Sequence, residues 1–192
     1  MKAFKDYETT QAYTDSERLP SGYYIGVIKN ADEVQNRNGG SRLEIAVEIT
    51  EGDFANYFTN DYRSQTRENQ RWRGVLPLFV PIDDGSERDG WTKRAFKTAI
   101  TAIEESNNGY HWDWNEKALK GLKVGFAVRH EEYEPDKWAT KVFRLVSLDA
   151  INGGKLKPVE DKPMKGSTSS APASAANNGD FAPVDDSDDL PF

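Results

Sequence analysis

The sequence predicts a mainly β domain with one long helix and a flexible acidic tail. Three observations support this prediction. Short segments of alternating apolar and polar residues recur through the first 150 residues, most clearly in residues 43–49. Residues 91–106 have apolar side chains at helical rather than alternating spacing. The last 27 residues contain no lysine or arginine and are rich in alanine, serine and aspartate.

The first two strands are predicted on either side of a turn. Residues 22–29 follow Pro20 and Ser21 and alternate loosely, whereas in residues 43–49 leucine, isoleucine and valine alternate regularly with glutamate and alanine. Residues 36–41, which contain two asparagines and two glycines, form the loop between them. A third strand is predicted over residues 54–62, returning antiparallel to the second.

The helix and two more strands follow. Residues 91–106 place Phe96, Ile100 and Ile103 on one helical face, and the Asn-Asn-Gly sequence that begins at Asn107 provides a stop. Alternation then returns in residues 122–128 and 142–148, which we predict as the fourth and fifth strands.

Three strands, a helix and two strands, in that order, are typical of the OB-fold. This fold is a five-stranded, partly open Greek-key barrel with its helix between strands three and four. Its ligand face is usually built from strands two and three and from the loops that join strands one to two and four to five. Here those loops would be residues 31–41 and 130–137. Residues 63–89 are longer than a minimal connection, so an additional strand or hairpin is expected there, inserted after strand three.

Several classes of protein are excluded or disfavoured by composition. The chain has no cysteine, which excludes disulfides, thiolate metal sites and a cysteine nucleophile. It has neither 18 consecutive apolar residues nor a basic and then apolar N-terminus, so we expect a soluble, cytoplasmic protein. It has no glycine-rich phosphate loop, nucleophile elbow or paired catalytic signature, and its two histidines lie in separate segments. We therefore expect a protein that is not an enzyme and needs no metal or other cofactor.

Two acidic sets leave a metal-dependent nuclease as a minor alternative. One is Asp83, Asp84 and Asp89, and the other lies within residues 131–134. Oxygen ligands of this kind suit Mg²⁺. Both sets fall in turn or loop sequences, however, where exposed carboxylates are ordinary.

The net charge of −7 is unevenly distributed. Residues 166–192 contain five aspartates and no basic residue, which is −5, and subtracting this from the total leaves −2 for residues 1–165. The acidic total therefore describes the tail far more than the body, and it does not argue against a nucleic-acid partner.

The chain is accordingly divided into three parts. Residues 162–179 are almost wholly glycine, serine, alanine, proline, asparagine and lysine, and they cannot bury enough surface to offset the entropy of ordering. We predict an OB-fold domain at residues 1–155, a flexible linker at 156–184 and an acidic tip at 185–192. A coil of roughly 30 residues has an r.m.s. span of about 30 Å, so the tip could reach widely around the domain.

Cations alternate with aromatic residues between the predicted third strand and the helix. Single-stranded nucleic acid is bound by this combination, because bases stack on rings and phosphates attract guanidinium and ammonium groups. The alternative is that the rings belong to the core and the arginines form a solvated surface. The candidate nucleic-acid contacts are Tyr57, Tyr62, Arg63, Arg67, Arg71, Trp72, Arg73, Trp91, Lys93 and Arg94.

A second aromatic cluster, at Tyr110, Trp112 and Trp114, directly follows the helix. These rings could be further platforms for bases, or they could cover the open end of the barrel. The second interpretation is favoured, because Asp113 and Asn115 beside the tryptophans would not attract phosphate.

The last eight residues combine four carboxylates with an apolar Leu-Pro-Phe end. This pattern offers electrostatic steering followed by a hydrophobic anchor and a terminal carboxylate. It resembles the C-terminal tip of bacterial single-stranded DNA-binding proteins, which follows a Gly/Pro/Ser-rich linker and closes with Pro-Phe. The resemblance implies that the tip docks partner proteins through Asp185, Asp186, Asp188, Asp189, Leu190, Pro191 and Phe192.

Most of residues 19–192 also resemble the single-stranded DNA-binding proteins of phages and mobile elements of Gram-positive bacteria. The resemblance rests on residues 19–24, 43–52, 102–107 with 112–114, and the acidic terminus. It implies DNA binding without catalysis in phage or mobile-element DNA replication and recombination, with replication and repair proteins recruited by the tip. The alternative is an OB-like adaptor that binds protein in a replication complex. No membrane partner is expected, and no oligomeric state is predicted.

Overall fold

A computed structural model describes residues 18–37 and 39–164 of the protein. Within these residues it is mainly β, with five strands and few helices. The elements, in chain order, are β1 (Gly22–Gln35), β2 (Ser41–Ile49), α1 (Tyr57–Ser64), β3 (Val75–Phe79), α2 (Glu87–Ser106), a short 3₁₀ helix (Glu116–Leu119), β4 (Lys123–Glu134), β5 (Lys137–Val146) and α3 (Leu148–Asn152).

The five strands form one antiparallel sheet in the order β3-β2-β1-β4-β5. The central strand β1 pairs with β2 along its whole second half and with β4 along its first half. Its register against β2 shifts at Lys29, between Ile28 and Asn30, and across this bulge the buried positions change phase, from Gly26 and Ile28 to Ala31. The two outermost strands, β3 and β5, also approach each other, so the sheet curls toward a barrel.

The core lies between the inner face of this sheet and α2. Leu43, Ile45, Val47 and Ile49 of β2 are all buried, as their alternation predicted. The helix α2 packs against β3, β4 and β5 through a buried face that includes Phe96. Among the helices that the structure describes, none is both long and apolar enough to cross a membrane.

The predicted third strand is wrong. Residues 54–62 form a turn and then α1, and the third strand is β3, inside the segment where an insertion was expected. The insertion therefore lies between β2 and β3 rather than after strand three. Phe54, Phe58 and Tyr62 satisfy a helical period as well as an alternating one, so periodicity alone could not separate the two structures.

The predicted connecting loops are shorter than expected. β1 continues to Gln35, which leaves residues 36–40 as the turn before β2. β4 continues to Glu134, and a two-residue turn at Pro135 and Asp136 leads into β5. Asp136 has a φ of 60°, the left-handed conformation that a type II turn requires at its second central residue, after a proline at the first. Charged residues on both strands concealed this hairpin in the sequence.

Residues 156–164, the first part of the predicted linker, are described by the structure, and one of them pairs with β4 through backbone hydrogen bonds. The amide of Lys162 donates to the carbonyl of His130 (2.8 Å), and the amide of Glu132 donates to the carbonyl of Lys162 (2.9 Å). β1 pairs with β4 only as far as Val128, so the edge beyond it is available to this segment. Backbone hydrogen bonds hold the segment, which explains its lack of apolar periodicity. Residues 165–192, with the remaining linker and the acidic tip, lie outside the described residues.

Candidate functional site

The helix α1 is fastened to β2 by a buried carboxylate. Glu48, only 2% exposed, accepts hydrogen bonds from the backbone amides of Phe58 (3.1 Å) and Thr59 (2.7 Å) and from the Thr59 hydroxyl. Asn56, which precedes the helix, contributes no side-chain cap, so Glu48 supplies the acceptors that the first turn needs. A residue of the neighbouring strand therefore sets the position of α1, while Phe58 of the helix packs into the core.

We call residues 63–73 the arginine loop. It begins with the last two residues of α1 and leads to β3. The side chain of Gln65 closes this loop by bonding both backbone groups of Arg71, with its amide on the carbonyl and its oxygen on the N–H, each at 2.9 Å. Gly74 then passes close to the sheet, where a Cβ would lie 2.6 Å from the Phe58 ring. The loop thus has a defined backbone although most of its side chains are exposed.

Four arginines lie on this loop, and the guanidinium groups of three of them have no charged or hydrogen-bonding partner among residues 18–37 and 39–164. These three, Arg63, Arg67 and Arg71, are exposed. Arg73 differs, because it forms an ion pair with Asp61 at 3.1 Å. The loop therefore presents three positive charges that are not neutralised by the described part of the protein.

The aromatic residues beside the arginine loop are half-buried rather than exposed. The Trp72 indole donates to the carbonyl of Val47 (3.1 Å), and its ring lies 6.0 Å from that of Tyr62. Tyr57 packs edge-on against Phe58 and accepts a hydrogen bond from the amide of Leu19 through its hydroxyl. Trp72 and Tyr57 therefore have packing roles, and Tyr62 is half-buried against the Trp72 ring.

The remaining predicted contacts lie on α2. While α1 packs on β2, α2 packs on β3, β4 and β5, so the single predicted cluster is divided between two elements. Trp91 is 56% exposed, and the guanidinium of Arg94 lies 4.4 Å from the centre of its ring. Lys93 instead pairs with Asp83 and with Asp89, and these contacts raise its pKa. Trp91 and Arg94 remain available to a ligand, whereas Lys93 is already engaged.

Asp89 organises the start of α2. Its carboxylate accepts from the amides of Ile82 (2.9 Å) and Asp83 (3.2 Å), while its own amide donates to the N-cap Ser86. The ammonium of Lys93, aided by those two amides, holds the pKa of Asp89 below its ordinary value near 3.8. The loop before α2 is thereby tied to the helix.

Replacing Asp89 by asparagine is expected to change the acid stability of the protein. A carboxyl with a lowered folded-state pKa stabilises the fold above the unfolded-state value, and this contribution is lost as the pH falls through the folded-state pKa. Urea unfolding between neutral pH and acid should show a smaller loss of stability for Asp89→Asn than for the parent. Asp53→Asn removes an exposed carboxylate with no partner among the described residues, so it should follow the parent curve. Parallel curves for Asp89→Asn and the parent would contradict this role for Asp89.

The outer face of β2 and β3, where ligand contacts were expected, is largely self-neutralised. Arg42 pairs with Glu44 at 2.6 Å and also donates to the side chain of Asn36. On the neighbouring strand β1, Asp32 pairs with Lys117. Phe79 at the end of β3 is partly exposed. Compared with this face, the arginine loop offers more free positive charge.

The cluster after α2 contains one packed and one exposed tryptophan. Trp112 is half-buried and packs against the core, as a residue that covers the barrel would. Trp114 is 76% exposed and lies parallel to the ring of Phe96, at an interplanar angle of 11°. Only Trp114 therefore has a ring face available to a ligand.

The acidic sets are engaged by cations and amides. Glu131 pairs with Arg129 and Lys141; burial acts to raise its pKa, but these two cations outweigh that effect and lower it. Within residues 18–37 and 39–164, no group of three or more histidine or acidic side chains is arranged to hold a metal ion. His130 lies between the carbonyl of Leu19 and the carboxylate of Asp161, which ties residues 158–164 to the domain.

Sequence reasoning missed the residues that position the site. Glu48 and Glu44 are both outward-facing glutamates of β2 and look equivalent in the sequence, yet only Glu48 is covered by α1. Gln65 has no local signal for its role, because its partner is the backbone of Arg71.

Comparisons with protein-family models and with curated proteins give no match to this chain.

Proposed function

We propose that this protein binds single-stranded DNA without catalysis and largely independently of sequence, through an OB-fold body. The arginine loop binds phosphates, and Tyr62, Trp91 and Arg94 contribute stacking and further charge. The strand order, with β1 central and α2 between β3 and β4 along the chain, supports the OB-fold interpretation. The setting proposed is phage or mobile-element replication and recombination inside the bacterial cytoplasm.

The observation that carries this proposal is the set of three exposed arginines without partners on a loop with a defined backbone. Exposed guanidinium groups without ion-pair partners contribute little to stability. They are well suited to phosphates, with which they form bidentate, charge-assisted hydrogen bonds. A chain of phosphates three or more nucleotides long could engage all three side chains at once.

Titration with oligo-dT at two salt concentrations tests the proposal. Binding should quench tryptophan fluorescence at low salt, because Trp91 is exposed and lies beside Arg94. Affinity should fall as salt rises, because phosphate contacts release counterions. An unchanged fluorescence signal and no binding by labelled oligo-dT would contradict the proposal and favour the protein-binding adaptor. Cleavage of the oligonucleotide with Mg²⁺, abolished by EDTA, would instead indicate a nuclease.

The acidic tip is proposed to recruit replication and repair proteins, on the pattern of residues 185–192. Deleting these residues removes four aspartates and should leave affinity for oligo-dT equal or higher, because the tip competes with DNA for the basic side chains of the body. The same deletion should abolish pull-down of partner proteins from the bacterial host. Substituting only the four aspartates with asparagine keeps the length and the apolar end, and it should weaken pull-down less than deletion does. Loss of DNA binding on deletion would contradict this division of roles.

A further inference from the structure

We propose, as an extension of the proposed function, that the surface of α2 from Trp91 to Trp114 is a second stacking surface for single-stranded nucleic acid, separate from the arginine loop. Trp91 and Arg94 were expected to belong to one cluster with the arginine loop. Trp114 was expected to cover the barrel. The structure instead places all three on or beside α2.

The central feature is a groove of about 300 Å³ between α2 and the segment that follows it. Aromatic and apolar side chains line it together with Lys93, Lys97, His111 and the carboxylate of Glu104. The phenylalanine and tryptophan side chains that line it are Phe96, Trp112 and Trp114, and Lys97 lies beside them. The three aromatic rings lie 6.1–6.3 Å from one another, and those of Phe96 and Trp114 are nearly parallel. An aromatic ligand could extend this stack on the exposed face of Trp114.

Trp114 is held in an unfavourable state. Its φ of 67° is the left-handed conformation, which bulky residues rarely adopt, and its indole is 76% exposed. A glycine or asparagine would occupy this backbone conformation at lower cost, and burial would stabilise the indole. Residues held in such conformations cluster at ligand sites. An exposed tryptophan on a strained backbone therefore points to a ligand that uses the ring.

The basic side chains favour nucleic acid as that ligand. Trp91, Arg94 and Lys97 follow one another at intervals of three residues, so they form a path across α2 toward the groove. Lys97 is 71% exposed and lies 3.8 Å from Glu104, a long and weak ion pair. The path thus presents an exposed ring, two cations and a second exposed ring, which suits the alternation of bases and phosphates in a single strand.

A pair of variants at Trp114 separates the ring from the backbone strain. Trp114→Gly and Trp114→Ala both remove the indole, but only glycine relieves the left-handed backbone. We expect both variants to bind a dT oligomer of roughly 16 nucleotides, the upper end of one OB-fold's site size, about 5- to 150-fold more weakly than the parent. Trp114→Gly should melt at a higher temperature than Trp114→Ala. Trp114→Phe retains a ring and should recover part of the affinity.

The cations are tested in the same way. Lys97→Ala should weaken binding and make its salt dependence shallower, whereas Lys123→Ala, at an exposed lysine on β4 without a side-chain partner among the described residues, should not. Measurements are made on the full chain, at a temperature at which melting curves show every variant folded.

The outcomes distinguish this inference from the proposed function. Parent-like affinity of Trp114→Gly, Trp114→Ala and Lys97→Ala, with weak binding after loss of the arginine-loop charges, would overturn the second surface and leave the proposed function intact. If the same variants kept parent-like DNA affinity but lost binding to a protein, the second surface would also be overturned, because the groove would then be the site of that protein. Absence of oligo-dT binding by the parent would be a failure of the proposed function itself.

Discussion

Replacing Arg63, Arg67 and Arg71 together by alanine is expected to weaken oligo-dT binding at low salt on the order of 100-fold, taking ~1 kcal/mol for each lost contact. All three side chains are exposed and have no partner in the described part of the chain, so their loss should leave folding unchanged. The log–log dependence of affinity on salt should become shallower by about 2, since each phosphate contact to a single strand contributes roughly 0.7. Fluorescence titration at several salt concentrations measures both quantities.

A matched variant separates local contacts from net charge. Replacing Lys120, Lys123 and Lys155 by alanine changes the charge equally, and these lysines are exposed and without side-chain partners among the described residues. This variant should retain most of the affinity of the parent. Equal loss in the two triple variants would show that only overall charge matters and would remove the arginine loop from the site. Arg73→Ala alone should have a smaller effect than Arg71→Ala, because Asp61 already engages Arg73.

Replacing Glu48 by alanine is expected to destabilise the protein by about 3 kcal/mol, since buried amide donors lose a charged acceptor. For a domain of this size, that loss corresponds to a fall in Tm of roughly 6–12 °C. The donors left without an acceptor are at the start of α1, so the helix should loosen first. Oligo-dT affinity should then fall as well, because α1 carries Tyr62 and leads into the arginine loop. Thermal unfolding and titration measure the two effects.

Glu44→Ala is the matched control for Glu48→Ala. Both glutamates face outward from β2, but Glu44 is partly exposed and, within residues 18–37 and 39–164, its side chain pairs only with Arg42, so its loss should cost about 0–1 kcal/mol. Glu48→Gln preserves shape and one acceptor oxygen while placing an amide group near the Thr59 donors, and it should be intermediate. Equal stability of Glu44→Ala and Glu48→Ala would contradict the anchoring role of Glu48.

The elements that the sequence predicts well are those whose burial is regular along the chain. β2 alternates because one face contacts the core, and the buried face of α2 repeats at helical spacing. These patterns also indicate a mainly β architecture with one long helix, which the structure confirms. The segment from Phe54 to Tyr62 fits both periods, and its first helical turn is capped by Glu48, which lies on a different element, β2.

The candidate site, like the fold, could be predicted from the sequence only in part. Sequence alone identified residue types that a nucleic-acid ligand would contact, and the segment that contains them. It could not show that Arg73 and Lys93 are paired while Arg63, Arg67 and Arg71 are not, or that Trp72 is packed while Trp91 and Trp114 are exposed. Those distinctions depend on which side chains the folded chain brings within a few ångströms.

By itself, the sequence determined the strands and helix with a regular apolar period, the charge division between body and tail, and the presence of an arginine-rich segment. Tertiary structure alone decided that this segment lies between β2 and β3, that Glu48 rather than Glu44 is buried, and that Lys162 pairs with the edge of β4. The physical reason is range. Periodicity reports how one element meets the core, whereas ion pairs, caps and edge contacts join residues far apart in the chain.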